Sequence, residues 1–311
     1  MDRYELVLGL PHTNHRGLAE HLLLMHAGHF QWTSIARAVG RPLSELRSID
    51  GGDVYATFYF IAEHFPETAP ITGFGLDHRL LFGVFLRAFK NIVVEGQLLF
   101  DHEERLAPTL AGAGTLPDPA AVAKHPYIRF ANIFVTPHGG NSQLRVAPPA
   151  NADFSTLPGL PNDDNPYRLT KPAEHTERLG LLSADWESAD RRAGFEHCYA
   201  IDPDRDTNGA GLVYFANYIA FMETAERAAL AANCRRTFAP GELTGRGIAH
   251  RRIAYYGNVE IGDSVRTAVS LFLPPRDPRR IGIRYTIRRA GDGRLICLSE
   301  AVKVLGNPTA A

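Results

Sequence analysis

Cysteine is scarce in this sequence. Its three cysteines, Cys198, Cys234 and Cys297, are widely separated and form no CxxC pair among the 311 residues. An odd number of scattered cysteines predicts neither a disulfide framework nor a zinc site, and it is typical of a reducing cytoplasm. The first residues lack a basic stretch followed by an apolar core, so we expect no signal peptide and a cytoplasmic protein.

Long apolar runs and an excess of one charge are also missing. The apolar run Leu22–Met25 is far shorter than the about 20 residues that a membrane helix needs. The 33 basic residues nearly balance the 34 acidic ones, giving a net charge of −1. We therefore expect neither a membrane nor a nucleic acid as a partner. The composition that remains, 45% hydrophobic and 22% charged residues, is typical of a globular protein whose length predicts two domains.

The sequence contains an internal repeat. Thr13–Leu18 returns as Thr207–Leu212 with four of six positions identical, and an apolar stretch follows both copies. Further along, Gly52-Asp53-Val54 and Gly262-Asp263-Ser264-Val265 each precede a strand-like run. Chance is the alternative explanation for so short a match. The shared order of parts favours a duplicated unit of loop, helix and sheet.

Two irregular segments interrupt the pattern. Residues 148–178 are rich in proline, asparagine and aspartate, a composition that breaks helices and strands. They predict a linker between an N-terminal unit at 1–147 and a C-terminal unit at 179–311. Residues 107–125 also combine prolines with glycines, and we expect them to form a long loop inside the first unit.

Periodicity predicts one helix and several strands in each unit. The first helix covers Leu18–Ala27 and ends near Gly28, and the second covers Leu212–Asn233. In the first unit the predicted strands, of which the third is ambiguous against helix, are Glu5–Leu10, Val54–Ile61, Leu80–Phe89, Asn91–Phe100, Tyr127–Thr136 and Gln143–Val146. In the second unit they are Phe195–Ile201, Ile248–Tyr256, Val265–Leu273, Ile281–Arg289 and Leu295–Leu305. One helix followed by antiparallel strands predicts an α+β fold in which each sheet wraps its helix.

A specific motif accompanies the second helix. Residues Asp206–Tyr218 resemble the active-site segment of hot-dog-fold acyl-thioester hydrolases, whose pattern is D-T-D-x-G-G-x-V-Y-x-A-N-Y. Tyr255–Asp263 is similar to the second strand and turn of that fold. Two such units in one chain imply a double hot dog.

The chain departs from the hydrolase pattern at its second acidic residue. Asn208 stands there, and Asn14 occupies the equivalent place in the first copy. A hydrolase uses that carboxylate to attack the thioester or to activate water, which an amide cannot do. A double hot dog with asparagine there is similar to the family of the leinamycin-pathway bifunctional acyltransferase/decarboxylase. The likeness extends to Gly9–His12, His29–Trp32, Val54–Phe58 and Phe134–Pro137.

The resemblance implies decarboxylation of methylmalonyl-CoA or malonyl-CoA and delivery of the acyl group to an acyl carrier protein in polyketide biosynthesis. A tyrosine takes part in acyl transfer in that family. The implied substrate is a coenzyme A thioester, and no further cofactor is expected. Hot-dog sheets commonly associate, so we expect a homodimer.

Decarboxylation needs an oxyanion hole rather than a base, because the electron pair released by CO₂ moves into the thioester carbonyl. We predict donors at the start of the second helix, where helix N–H groups are unpaired. One oxyanion donor contributes about 3 to 4 kcal/mol to the rate. The predicted groups are the side chain of Asn208 and the backbone of Gly209, Gly211 and Leu212, with Thr207 near the substrate carboxylate and Asn14 acting in the first copy. The alternative role for Asn208, Thr207 and Thr13 is to stabilise a turn.

Two tyrosines are candidates for acyl transfer. Alternate residues of the predicted strand, Tyr55, Thr57 and Tyr59, point to one face. The other face carries Ala56, Phe58 and Phe60. We favour Tyr55, with Thr57 and Tyr59 beside the substrate. A phenol with its ordinary pKa of about 10 needs activation before it can act as a nucleophile. A place in the core or on the surface is the alternative.

Arginine clusters are candidate ligands for the phosphates of coenzyme A. Arg276, Arg279 and Arg280 lie in one proline-rich loop, and Arg251–Arg252 is a second pair; a solvated surface is the alternative for each. The thirteen histidines show no ligand spacing that predicts a metal. Two other functions stay open, a hydrolase or dehydratase that uses His15 or Glu20, and a noncatalytic module that binds acyl thioesters or a carrier protein.

Overall fold

The computed structural model of the protein describes residues 1–114, 116–138, 143–209 and 211–306. These residues form two compact units. Unit 1 comprises 1–138 and 143–170, and unit 2 comprises 171–306. Each unit contains one long helix and one antiparallel sheet.

Unit 1 contains strands, helices and short 3-10 turns. Its strands are β1 (Asp2–Val7), β2 (Thr13–Asn14), β3 (Gly17–Leu18), β4 (Tyr55–His64), β5 (Arg79–Phe89), β6 (Val93–His102), β7 (Tyr127–Pro137) and β8 (Leu144–Val146). Its helices are α1 (Glu20–Val39), α2 (Glu103–Ala111) and α3 (Pro119–Val122), and α4 (Tyr167–Thr176) follows across the division of the units. Short 3-10 turns occupy Leu10–His12, Leu43–Glu45, Ile71–Gly73 and Asn162–Asp164.

Unit 2 has fewer elements. Its strands are β9 (Glu187–Ser188), β10 (Glu196–Ala200), β11 (Gly247–Tyr255), β12 (Ser264–Leu273), β13 (Arg280–Arg289) and β14 (Leu295–Val304). Its helices are α5 (Pro203–Asp206), α6 (Asn217–Ala232) and α7 (Pro240–Thr244).

The two sheets have the same strand order. In unit 1 the order is β1-β5-β6-β7-β4, and in unit 2 it is β10-β12-β13-β14-β11. Neighbouring strands within each order are antiparallel. In both units the first strand precedes the long helix and the other four follow it. This shared topology agrees with the duplication that the Thr-Asn repeat predicts.

The inner face of each sheet packs against its long helix. On β12, Val265, Thr267, Val269 and Leu271 are all buried because alternate residues of a strand point to one face. On α6 many of the buried residues recur at three- and four-residue spacing, among them Tyr218, Phe221, Met222, Ala225 and Ala229. The apolar pattern of both elements therefore produces one core layer.

The outer face of the unit 1 sheet is also covered. Leu106 and Leu110 of α2 pack on Phe85 and Leu99, and Gly83 leaves room for Leu110, whose Cδ2 would lie 2.5 Å from an added Cβ. Further along, residues 158–164 follow the edge of β5. The backbone N–H of Leu160 donates to the carbonyl of Ala88 at 2.7 Å.

The outer face of unit 2 is covered by residues 173–186. The carboxylate of Glu300 on β14 accepts hydrogen bonds from the N–H groups of Leu181 and Leu182 at 2.8 and 3.3 Å. The Trp186 ring lies over Gly282 of β13, where an added Cβ would approach the ring to 2.4 Å. A residue without a side chain is therefore required at Gly282.

Two predicted helix boundaries are wrong. α1 continues through the buried Gly28 to Val39 and ends at Gly40, whose φ of 67° provides the left-handed cap. A glycine inside a helix costs stability, but burial of the surrounding apolar face outweighs that local cost. α6 begins at Asn217 rather than at Leu212, since Thr207 and Val213 pair in a hairpin instead.

The two irregular segments contain helices that their composition did not predict. α3 lies within the loop predicted at 107–125, α2 extends into its first residues, and α4 lies within the proline-rich stretch. Pro119 stands in the first turn of α3, where the missing N–H costs nothing. The predicted strands, including the ambiguous Leu80–Phe89, are all present with ends shifted by a few residues.

Candidate functional site

The Thr-Asn motif of unit 2 forms a tight hairpin. Thr207 pairs with Val213 in an antiparallel bridge, and the Asn208 N–H donates to the Leu212 carbonyl at 2.8 Å. The Thr207 hydroxyl donates to the Pro203 carbonyl at 2.6 Å. Ala210, which the motif includes, lies outside the described residues. The hydroxyl of Thr207 is thus used to hold the turn.

Asn208 also holds this hairpin. Its side-chain Oδ1 accepts the Leu212 N–H at 3.1 Å, and its backbone carbonyl accepts the Gly211 N–H at 2.9 Å. Gly211 adopts a φ of 72°, a conformation that favours glycine. The amide oxygen therefore faces the turn, and Nδ2 is the donor group of the Asn208 side chain.

The predicted backbone oxyanion hole is not formed by Gly211 and Leu212. Because α6 starts at Asn217, these residues do not belong to a helix N-terminus. Their N–H groups donate within the hairpin, as described above. The next two N–H groups are also used, because Val213 donates to Asn258 Oδ1 at 3.2 Å and Tyr214 donates to the Asp206 carbonyl at 2.8 Å. Gly209 is exposed at the tip of the hairpin.

Asp206 is a site residue that the sequence argument missed. The residue is 2% exposed, and Oδ2 accepts from the Tyr199 hydroxyl and the Asp202 N–H, both at 2.9 Å. Oδ1 accepts from the Arg205 Nε at 3.2 Å. The sequence pattern that could have indicated it is the pair Asp204 and Asp206, which closely follows the strand that carries Tyr199. This carboxylate is committed to three donors.

The equivalent motif of unit 1 forms a shorter hairpin. Thr13 pairs with Leu18 and Asn14 pairs with Gly17, and Asn14 Oδ1 accepts the Arg16 N–H at 2.8 Å. Gly17 has a φ of 116°, and an added Cβ would lie 2.9 Å from the Thr72 Cα. The bridge from threonine closes one residue later in unit 2 than in unit 1. Both asparagines nevertheless use Oδ1 as an acceptor for their own turn.

A bulge on β4 separates the three candidate residues of that strand. Phe58 opposes Asn132, whereas Phe60 opposes Ala131, so Tyr59 is the extra residue. Tyr59 and Phe60 consequently pack in the same cluster, and the predicted placement of Phe60 on the opposite face is wrong because a bulge breaks the two-residue period.

Tyr59 is held as a buried structural group. Its hydroxyl donates to Asn165 Oδ1 at 3.1 Å, and burial raises the pKa of Tyr59 well above its ordinary value. Tyr55 and Thr57 are only partly buried, at the start of the strand. Tyr55 is therefore the better placed of the two tyrosines to meet a substrate.

The predicted phosphate ligands do not lie near the Asn208 hairpin. Ile201 lies a few residues before the hairpin, and its N–H donates to the carbonyl of Asp263, next to the first residue of β12. The three arginines Arg276, Arg279 and Arg280 come after the last residue of β12. A strand of this length spans about 30 Å. The two predicted groups thus lie at opposite ends of the unit 2 sheet.

The second arginine pair consists of one buried and one half-buried residue of unit 2. Arg251 is 1% exposed and donates to Ser299 Oγ at 3.4 Å, between α6 and the sheet. Arg252 donates to the Leu179 carbonyl at 2.8 Å. The Arg251 guanidinium does not reach the surface, so the phosphate-binding prediction is wrong for Arg251, and for Arg252 it stays a prediction.

Histidines are concentrated in unit 1, and several lie close together. The His12 and His26 ring centroids are 5.0 Å apart, and those of His78 and His102 are 4.6 Å apart. Within the described residues, no group of three or more histidine, cysteine or acidic side chains could hold a metal ion.

Comparison with known proteins identifies the fold. No family model and no curated protein matches the sequence. An acyl-ACP thioesterase from Bacteroides thetaiotaomicron is similar over 97% of both chains, with a TM-score of 0.57 and 11% identity. The chain has the double hot-dog fold. A putative oleoyl thioesterase from Lactobacillus plantarum aligns over 97% of this chain and 94% of its own, with a TM-score of 0.62 and 10% identity. The 12:0-ACP thioesterase from Umbellularia californica aligns over 98% and 94%, with a TM-score of 0.60 and 10% identity.

Sequence identities this low establish a shared fold only. The chemistry of this double hot dog has to be inferred from its own residues. Over the ranges that the structure describes, none of the helices combines the length and the apolar character that crossing a membrane requires.

Proposed function

We propose that this double hot dog acts on acyl thioesters, and that it decarboxylates methylmalonyl-CoA or malonyl-CoA and transfers the acyl group to an acyl carrier protein. Three structures of the same fold are named as thioesterases, two of them for acyl-ACP or 12:0-ACP substrates. The sequence resemblance to the leinamycin-pathway family supports the more specific reaction.

The proposal is carried by one observation: within the described residues, neither hairpin loop offers a carboxylate that is free of hydrogen-bond donors. The motif position holds Asn208, and the neighbouring Asp206 accepts three hydrogen bonds in a buried site. Residues 9–18 of unit 1 contain no acidic residue. The hydrolase pattern uses a carboxylate at this motif position to attack the thioester or to activate water. The loops therefore favour a reaction that needs no such base.

Decarboxylation meets that condition. The bond between the thioester α-carbon and the carboxylate breaks, CO₂ leaves, and the electron pair moves into the thioester carbonyl to give an enolate. The Nδ2 group of Asn208 can donate to that oxygen without adding negative charge. Protonation of the α-carbon then gives the shortened acyl thioester.

Acyl transfer requires a second step. In the proposed route the Tyr55 oxygen attacks the thioester carbonyl, the CoA thiolate leaves with the phenolic proton, and an acyl ester forms. The carrier thiol then attacks this ester, the acyl group passes to sulfur, and the proton returns to Tyr55. The partly buried position of Tyr55, compared with the sealed Tyr59, supports this assignment.

The test is incubation of the protein with methylmalonyl-CoA and a carrier protein bearing its phosphopantetheine thiol. We expect CO₂ together with propionyl carrier, detected by intact-protein mass. Free acid and CoA without CO₂ would support the hydrolase alternative. Binding with no turnover would support the noncatalytic module.

The charge at the motif position is tested by Asn208→Asp. An aspartate oxygen can still accept the Leu212 N–H, so the hairpin is retained while the donor is lost. We expect CO₂ release to fall about 10²-fold or more, with hydrolysis gained. Asn14→Asp makes the same isosteric change in unit 1, and it shows whether that loop also takes part. An Asn208→Asp protein that releases CO₂ at the original rate would remove Asn208 from the mechanism.

A further inference from the structure

The buried hydroxyl of Tyr218 in unit 2 has no hydrogen-bond partner among the described residues. Tyr218 lies in the first turn of α6, and its side chain is 2% exposed. Among the described residues its hydroxyl makes no hydrogen bond. A buried hydroxyl without a partner destabilises the folded protein, because it loses its bonds to water and gains none. The position therefore calls for an explanation other than packing.

The surroundings of this hydroxyl adjoin the candidate site. The Tyr218 ring meets the Tyr255 ring edge-on at 5.4 Å, and the Tyr255 hydroxyl donates to the Phe215 carbonyl at 2.9 Å. Phe215 lies in the segment that joins the Asn208 hairpin to α6. Tyr218 thus packs on the residue that anchors this segment to the sheet.

The position of unit 1 that is equivalent to Tyr218 holds an apolar side chain. Gln31 on α1 contacts Gly96 of β6 and Asn132 of β7, and Glu226 on α6 contacts the equivalent strands β13 and β14. Counting back eight residues along each helix from Gln31 and Glu226 gives Leu23 and Tyr218. Leu23 is fully buried. The packing position thus accepts an aliphatic side chain, and the hydroxyl is a feature of unit 2 alone.

We infer that the Tyr218 hydroxyl is a hydrogen-bond donor to the carbonyl oxygen of the bound acyl thioester, and that unit 2 is the unit whose helix contacts the reacting group. This inference rests on the proposed action on acyl thioesters. It does not depend on whether the thioester is decarboxylated or hydrolysed.

The chemistry of the group fits that role. Burial raises the pKa of Tyr218, and the nearby Cys297 raises it further, so the phenol remains protonated and acts as a donor. The guanidinium of Arg251 lies on the same inner face and contacts Met222 and Ser299. When electrons move into the thioester carbonyl, Tyr218 stabilises the negative oxygen and keeps its own proton. Because the ring is buried, the acyl group reaches it only when the junction between hairpin and α6 opens.

The test compares two unreactive analogues of propionyl-CoA. One replaces the thioester sulfur by CH₂ and keeps the carbonyl, and the other is S-propyl-CoA, which has no carbonyl. We expect the wild-type protein to bind the ketone analogue more tightly. Tyr218→Phe should reduce that preference about tenfold, and its melting temperature should be unchanged or higher because the unpaired hydroxyl is gone. A preference that is unchanged in Tyr218→Phe would overturn the inference.

Tyr4→Phe is the matched control in unit 1. It removes a hydroxyl that has a partner, Ser34 Oγ at 2.9 Å, and should lower the melting temperature without altering the analogue preference. A wild-type protein that shows the preference but releases no CO₂ would refute decarboxylation and retain the inference. A wild-type protein that binds neither analogue would overturn both.

Discussion

The middle of the long helix shows how the two units differ. In unit 1, Gln31 donates to Asn132 Oδ1 at 2.5 Å, and both side chains are fully buried. The Gln31 Oε1 and the Asn132 Nδ2 have no partner within the described residues. The polar centre of unit 1 is therefore a neutral amide pair that is only partly satisfied.

At the same point of unit 2 the interior is charged. The Glu226 carboxylate receives hydrogen bonds from Lys303 Nζ at 2.6 Å, Arg246 Nε at 2.7 Å and the Tyr285 hydroxyl at 2.6 Å. Burial alone would raise the pKa of Glu226, but Lys303 and Arg246 lower it well below its ordinary value of 4.5. The carboxylate is thus ionised and fully engaged.

The comparison teaches that strand order and interior chemistry are independent in this molecule. Both centres connect the long helix to the third and fourth strands of the sheet, yet one uses amides and the other uses ions. A buried ion cluster is strongly sensitive to loss of one partner, whereas a neutral pair leaves no uncompensated charge. The two units should therefore respond differently to substitution and to pH.

The largest expected effect is that of Lys303→Met. It leaves Glu226 with one cation in a buried site and should destabilise unit 2 by about 3 to 5 kcal/mol. Urea unfolding followed by circular dichroism measures this loss. The double variant Glu226→Leu/Lys303→Met should recover part of it, since the buried anion is also removed. A loss below about 1 kcal/mol would show that the cluster behaves like a surface ion pair.

Acidification should distinguish the units next. Because the folded-state pKa of Glu226 is lowered, its contribution is fully present above about pH 4.5 and is lost as pH falls towards the folded value. Hydrogen exchange, corrected for intrinsic rates, should therefore show α6 losing protection before α1 as pH falls from about 5 to 3. Equal loss in both helices would contradict the comparison.

Overpacking tests the neutral centre. A Cβ at position 96 would lie 2.1 Å from Gln31 Oε1, so Gly96→Ala should displace Gln31 and destabilise unit 1 by about 1 to 3 kcal/mol. Thermal unfolding reports the change. Gly291→Ala is the control, because an added Cβ there meets no heavy atom within 4 Å. Equal stability of the two variants would mean that the amide pair can move freely.

The smallest effect concerns the two tyrosines of β4. Tyr59→Phe removes the hydrogen bond to Asn165 and should cost about 1 kcal/mol. Tyr55→Phe should leave the melting temperature within error and abolish formation of propionyl carrier. If Tyr59→Phe instead abolished transfer while Tyr55→Phe did not, the assignment of the acyl-transfer residue would be reversed.

Much of the fold could be predicted from patterns that act locally. Strands such as Val265–Leu273 alternate between buried and less buried residues, and the turn before Leu295 has glycine where a positive φ is needed. The end of α1 could not be predicted, because Gly28 carries a stop signal that tertiary burial overrides. α2 was missed for a related reason. Its apolar residues form a face only when the outer side of the sheet is present to receive them.

The candidate site was less accessible to sequence reasoning. The motif located the Asn208 hairpin, but one additional residue in the turn and a delayed helix start changed which N–H groups are used. The bulge at Tyr59 has no signature in the alternation of Tyr55, Thr57 and Tyr59. The commitment of Asp206 depends on Tyr199, whose hydroxyl reaches it only in the folded chain.

The sequence contains two tryptophans, and the fold assigns one to each unit. Trp32 packs against Phe58 in unit 1 and donates to the Ala56 carbonyl at 3.0 Å, whereas Trp186 rests on Gly282 in unit 2. Each half therefore carries its own intrinsic fluorophore. Replacing either indole by phenylalanine would let emission from the other report on a single half during unfolding or ligand titration, without an attached dye.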